Sequence, residues 1–238
     1  METTQLAMAL VIGFVPALFW LWFWLKEDKE RPEPLRLIAL AFVGGILVVP
    51  VALLLQKVAM DNFHGDKLLF IWVVIEETLK YAAALLLILW RRAVDEPIDV
   101  IIYMIAIALG FSALENTLFI FNPLATGDIV HTTLTGSFRF LGATLLHILA
   151  SGTVGAFLAL AFYKNQKTKF IFGTLGLFAA IALHALFNFF ITDADGQTIL
   201  GVFLFVWMGI IILLLIFEKV KIIDAKHRSS RRIRRRHN

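Results

Sequence analysis

Three ionisable residues interrupt the apolar run IWVVIEETLKYAAALLLILW: Glu76, Glu77 and Lys80. Similar intrusions follow along the chain. Glu115 and Asn116 lie in FSALEN, His147 in TLLHILA, and His184 and Asn188 in HALFN. An ionisable side chain in hydrocarbon costs about 2.5–3.5 kcal/mol even on the lenient insertion scale, so such residues point to a job. The set allows hydrolysis. A poorly solvated carboxylate can act as general base toward water. A His can hold the water, donate to an oxyanion or bind a metal, and an Asn amide can complete an oxyanion site. A nearby Lys balances the charge of one acid. Other chemistries are absent: the chain has no G-x-S-x-G, no buried Ser–His–Asp order, no H-E-x-x-H and no Cys. What remains is a glutamate-driven hydrolysis or a metal-assisted one, with Glu115, His147 and His184 as candidate ligands for Zn²⁺.

The spacing within each run sharpens this. Glu76 and Lys80 are i,i+4, so they share a helix face and can pair. His184 and Asn188 have the same spacing, and so have Phe111 and Glu115, with the aromatic ring one turn from the carboxylate. Glu77 is turned about 100° from Glu76. The two adjacent acids cannot point the same way and are expected to have different jobs.

The elements that must position these residues are membrane helices. The 238 residues are 60% hydrophobic and 17% charged, with a mean hydropathy of +0.83. Seven apolar segments can be marked, at 6–25, 37–56, 68–90, 99–121, 140–162, 170–191 and 199–217. Each is long enough to cross about 30 Å of hydrocarbon as a helix. The expected fold is therefore an all-α polytopic membrane protein of about seven spans. Residues 1–218 form one transmembrane domain, and 219–238 form a basic cytoplasmic tail. Met1–Gln5 carries no positive charge and no A-x-A-like site precedes Lys26, so the first helix reads as retained.

Charge gives the orientation. The loops at 26–36, 91–98 and 163–169 and the tail hold four, two, three and nine Lys or Arg, 18 of the 22 in the chain. The positive-inside rule puts that side in the cytoplasm and the N-terminus outside. Depth can then be compared by helical rise. Glu76 lies about 12 Å, Glu115 about 9 Å, and His147 and His184 about 10 Å from the outer ends of their segments. Four successive helices thus place polar groups in one layer of the outer half.

The other unusual residues have plainer readings. The basic tail suits anionic headgroups better than nucleic acid. His64, His131, His227 and His237 fall in loops or the tail as surface residues. Trp20, Trp22 and Trp24 suggest an interfacial belt. Pro16 and Pro50 are candidate kinks. Gly44, Gly45, Gly110, Gly152, Gly155, Gly173 and Gly176 are candidate close-packing positions.

The motif series E-E-x-x-K, F-x-x-x-E-N, a lone His and H-x-x-x-N/D resembles the PrsW family of intramembrane proteases, which is distantly similar to the CAAX prenyl endopeptidases. The motifs run from Glu76 to Asn188. The resemblance implies that Glu76 activates water and that Glu77 supports or shares that role. It makes Glu115 a second polar group at the water. His147 and His184 would bind water, oxyanion or metal, and Asn188 would complete the oxyanion site. Lys80, Phe111 and Asn116 would support. Asn188 departs from the Asp often found there, which weakens any scheme with a charged ligand at that position. The implied substrate is a single-pass membrane protein, such as an anti-sigma factor, cut on the extracytoplasmic side of a prokaryotic cytoplasmic membrane. Two other classes compete. Buried Glu and His also build proton-coupled transporters, and an inactive immunity-type binder would keep the same scaffold.

Overall fold

A computed structural model describes residues 2–28, 31–192 and 196–237, with the side chains of 2, 196, 197 and 231–237 outside the description. His237, read above as a surface residue, lies outside the described side chains. The described residues form helices and no strand. In order these are α1 (Glu2–Glu27), α2 (Leu35–Met60), α3 (Gly65–Ala84), α4 (Pro97–Ala125), α5 (Ile129–Phe138), α6 (Thr144–Leu160), α7 (Gln166–Thr192) and α8 (Gly196–His237). A π-helical turn, Leu85–Leu89, continues α3, and a second, Arg139–Ala143, joins α5 to α6.

Lipid offers no partner for open backbone groups, which leaves helices as the spanning element. Among the described residues six helical stretches are long and apolar enough to cross: Thr3–Glu27, Leu35–Met60, Pro97–Ala125, Ile129–Leu160, Gln166–Thr192 and Thr198–Ser230. The α3 rod is not among them, because Asp66, Lys67, Glu76, Glu77 and Lys80 dilute its apolar character. The helices also outrun the apolar segments. The rod Ile129–Leu160 begins eleven positions before the segment at 140–162, since Thr132, Thr133, Thr135 and Ser137 lower its hydropathy without breaking the helix.

The bundle is organised on α4. Nearly every residue from Pro97 to Ala113 is buried, and α1, α2 and α6 pack around it. Close approach to α2 depends on two glycines. A Cβ at Gly45 would lie 2.0 Å from the Ile107 carbonyl oxygen, and one at Gly110 would lie 1.9 Å from that of Phe42. Backbones this close exclude any side chain at either position. Both α1 and α2 run on through Pro16 and Pro50.

The aromatic belt is a correction. Trp24 and Trp20 are 1% and 8% exposed and face the bundle, Trp24 against Phe217 and Trp20 against Phe140 and Trp207. Only Trp22, on the opposite face of α1, is exposed. The i,i+4 pair 20/24 is the buried stripe of α1, and composition alone cannot separate that stripe from a headgroup anchor. His227 also differs from the surface reading: its ring stacks on Tyr163 at 3.8 Å. His64 and His131 are exposed.

Candidate active site

α3 carries three of the site residues on adjacent turns. Lys80 is fully buried and Glu77 is 1% exposed. The Lys80 ammonium donates to Glu77 Oε1 at 2.7 Å and lies 3.8 Å from Glu76 Oε2. It also lies 3.0 Å from His147 Nδ1 and 4.1 Å from the centre of the Phe111 ring. Lys80 therefore ties α3 to α4 and α6 at one point.

These partners assign the histidine tautomers. A Lys has no acceptor, so His147 Nδ1 accepts from it. His147 Nε2 then carries the hydrogen and donates to Glu115 Oε2 at 3.0 Å. His184 Nδ1 donates to Glu77 Oε1 at 2.8 Å, so in the neutral ring Nε2 is the acceptor, 3.9 Å from Glu76 Oε2. The two rings meet edge to face at 5.1 Å.

Glu76 and Glu77 take different partners, as their 100° separation requires. Glu77 is saturated by Lys80, His184 and Ser151. Glu76 Oε1 accepts from Gln56 Nε2 at 2.9 Å, while its Oε2 is buried with no hydrogen-bond partner. In that tautomer Glu76 Oε2 and His184 Nε2 are two acceptors on one gap, and Glu76 Oε2 has no hydrogen-bond donor among the described residues. Such a gap suits a water that donates to both, or a cation.

Glu115 is held from the other side. Arg139, in the π-helical turn before α6, pairs with Glu115 and also donates to Asn116 Oδ1. Asn116 donates to Ser112 Oγ and Thr144 Oγ1, which ties α4 to α6. Phe111 packs against His147 at 5.4 Å. Asn188 lies one turn from His184, and its side chain makes no hydrogen bond among the described residues.

The structure thus brings Glu76, Glu77, Lys80, Phe111, Glu115, Asn116, His147 and His184 together, with Asn188 at the margin. Ligand atoms of Glu76, Glu77, His147 and His184 all lie within 4.8 Å of one another. Glu115 is not in that group, its carboxylate being occupied by Arg139 and His147. The donor set of carboxylate and imidazole is one that Zn²⁺ takes. The orphaned Glu76 Oε2 and bare His184 Nε2 are ready donors. His147 becomes the third only when Lys80 leaves its Nδ1. Glu77 sits behind His184 in the position of the carboxylate that orients a ligating imidazole. On that chemistry the residues fit a divalent metal.

Gln56 and Arg139 were missed by sequence reasoning. Gln56 closes the apolar segment of α2, where a polar residue is unremarkable. Arg139 falls just before its segment. Had the helix been extended through the Thr- and Ser-bearing turns before it, Arg139 would have been an intramembrane cation needing an acid.

Known proteins resemble the chain over most of its length. A model of the PrsW family intramembrane metalloproteases matches residues 33–216. Over 184 residues the chain is 25% identical to protease PrsW of Bacillus subtilis, covering 76% of this chain and 81% of that one. It is 28% identical over 193 residues to protease PrsW of Oceanobacillus iheyensis, covering 79% and 85%. It is 26% identical over 190 residues to that of Clostridioides difficile, covering 75% and 77%. No solved structure matches the chain.

Proposed function

Because the chain belongs to the PrsW family of intramembrane metalloproteases, we propose that it cuts single-pass membrane proteins within the bilayer, with Glu76 as the base that activates water. The observation that carries this reading is the gap between Glu76 Oε2 and His184 Nε2, 3.9 Å apart, with no hydrogen bond to that carboxylate oxygen among the described residues.

A water in that gap donates to both atoms and turns a lone pair outward. As it attacks the scissile carbonyl, Glu76 takes its proton and returns it to the departing amide nitrogen. Gln56 fixes the Glu76 carboxylate so that Oε2 faces the gap. Glu77 fixes His184 through Nδ1, and Lys80 compensates the Glu77 charge. The Asn188 amide, which makes no side-chain hydrogen bond among the described residues, donates to the oxyanion. A Zn²⁺ held by Glu76, His184 and His147 would supply Lewis-acid polarisation of the water and the carbonyl.

Orientation completes the proposal. The α3 rod is a seventh crossing, lined up with its acids inward to the bundle. The N-terminus lies outside, the basic tail lies on anionic lipid in the cytoplasm, and cleavage occurs in the outer half. An anti-sigma-factor type of substrate fits this placement.

The test is cleavage of a reconstituted single-pass substrate by purified protein, with metal content measured in parallel. Glu76→Gln is expected to lower the rate by about 10²–10⁴-fold while the protein stays folded. A wild-type rate in that variant would sink the assignment of Glu76. Stoichiometric zinc that leaves with activity on chelation supports the metal-assisted form, and full activity without metal supports the glutamate-driven one.

A further inference from the structure

A cavity of about 360 Å³ lies between the end of α3, the last turn of α6 and the start of α7. It is separate from the gap beside Glu76. Leu85 and Leu89 of the π-helical turn and Leu158 of α6 give it apolar walls. Trp90 and Phe170 also line it and are 77% and 74% exposed, so it is open to the bilayer and not sealed within the bundle.

The polar side chains of the lining are ordered along α7. Lys169 and Gly173 are i,i+4 and share a face, about 6 Å apart along the axis. The Lys169 ammonium stands 5.1 Å from the centre of the Phe162 ring and forms no ion pair among the described residues. One turn deeper, the Tyr81 hydroxyl lies against Gly173, where a Cβ would come within 2.3 Å of it. That hydroxyl makes no hydrogen bond among the described residues. No acid lines the cavity. The flanking sequence is also basic: Arg91 and Arg92 follow Trp90, and Lys164 and Lys167 precede Lys169.

We propose that this cavity is a binding site for one anionic phospholipid. The phosphate sits at Lys169, a glycerol ester carbonyl accepts from the Tyr81 hydroxyl, and an acyl chain lies against Leu85, Leu89 and Leu158. A cation without a counter-ion at the end of an apolar slot is complementary to a headgroup with net negative charge, and less so to a zwitterionic one. An apolar helix in the same place would leave both Lys169 and Tyr81 without partners. The lipid touches α3, α6 and α7, which carry Glu77, His147 and His184, and braces these helices without entering the hydrolytic layer. This site is distinct from the basic tail, which meets headgroups on the surface only.

The experiment is native mass spectrometry of the full-length protein in detergent, titrated with phosphatidylglycerol or with phosphatidylcholine of the same acyl chains. One phosphatidylglycerol per chain is expected to bind about fivefold or more tighter than phosphatidylcholine. Lys169→Gln should bring the two lipids close to equal affinity. Thr174→Trp, which places a large ring in the cavity without changing charge, should abolish the tight site, and Lys226→Gln in the tail should leave it intact. Lys169 is only half-buried, so its variant decides the matter if Thr174→Trp does not fold. Equal affinity for the two lipids in the unaltered protein would overturn the proposal, and so would unchanged phosphatidylglycerol binding in Lys169→Gln. Tight binding that survives in folded Thr174→Trp but falls in Lys226→Gln would overturn it in favour of the tail. No retained phosphatidylglycerol at all would leave the groove to an apolar segment of another protein.

Discussion

Lys80 and Gln56 each act on one of the adjacent acids, and their substitutions should fail in different ways. Lys80 is fully buried, 2.7 Å from Glu77 and 3.0 Å from His147. Lys80→Met leaves Glu77 charged and unpaired, which costs about 3–5 kcal/mol. The expected outcome is a large fall in melting temperature in detergent. Gln56→Leu removes only one hydrogen bond to Glu76 Oε1, worth about 1.5–3 kcal/mol to a charged group. If that bond positions Glu76, kcat falls about ten- to hundredfold with KM little changed, and Gln56→Asn does not rescue it because its shorter arm cannot reach. Unchanged kcat in Gln56→Leu would remove Gln56 from the site. The acids and histidines were legible in the sequence because burying them in hydrocarbon costs enough to demand a reason. Gln56 and Arg139 were not, because each sits at the end of an apolar run, where a polar residue costs little. Their partners lie on other helices, and periodicity carries no information across helices.

At the scale of elements, the crossing of α2 and α4 sets how the site is assembled, since Gln56 and Glu115 lie on the same two helices beyond that crossing. Gly45 and Gly110 let the backbones approach to a distance at which a Cβ at 110 would meet the Phe42 carbonyl oxygen at 1.9 Å. Gly110→Ala should therefore force the helices apart and cost about 1–3 kcal/mol or more through overpacking, despite the better helix propensity of Ala. Gly201→Ala on α8 is the control, because a Cβ there meets nothing within 4 Å. Its stability should change by no more than about 0.5 kcal/mol or improve by up to about 1 kcal/mol. Thermal unfolding of the two variants side by side checks this, and equal stabilities would contradict the crossing. Small residues in apolar runs suggested close packing, but which glycines meet each other was not readable. The extra turns of the rod Ile129–Leu160 were hidden for a related reason: Thr and Ser satisfy their own hydroxyls on the helix backbone, as Thr132 and Thr133 do with Asp128 and Ile129. Hydropathy counts them as polar although the helix continues.

For the whole molecule, orientation decides which leaflet the polar layer of Glu76, His147 and His184 meets. In the orientation proposed above from the charge of the loops, the Glu76–His184 layer lies in the outer half and the loops at 26–36, 91–98 and 163–169 face the cytoplasm. That proposal rests on the sequence, because Lys and Arg near membrane ends are counted along the chain and need no packing information. The absence of Cys gives a direct check. Single cysteines placed at Asn62, between α2 and α3, and at Asn165, between α6 and α7, report opposite faces if the α3 rod crosses the bilayer. A membrane-impermeant maleimide applied to intact cells should label Asn62→Cys and leave Asn165→Cys unlabelled until the cells are opened. The reverse pattern would invert the molecule and put the hydrolytic layer on the cytoplasmic side. Labelling of both sites in intact cells would mean that the number of crossings between them is even, so that α3 or one of its neighbours does not span. Each result bears on the substrate, because a single-pass protein can present a peptide bond to Glu76 only from the leaflet in which the layer lies.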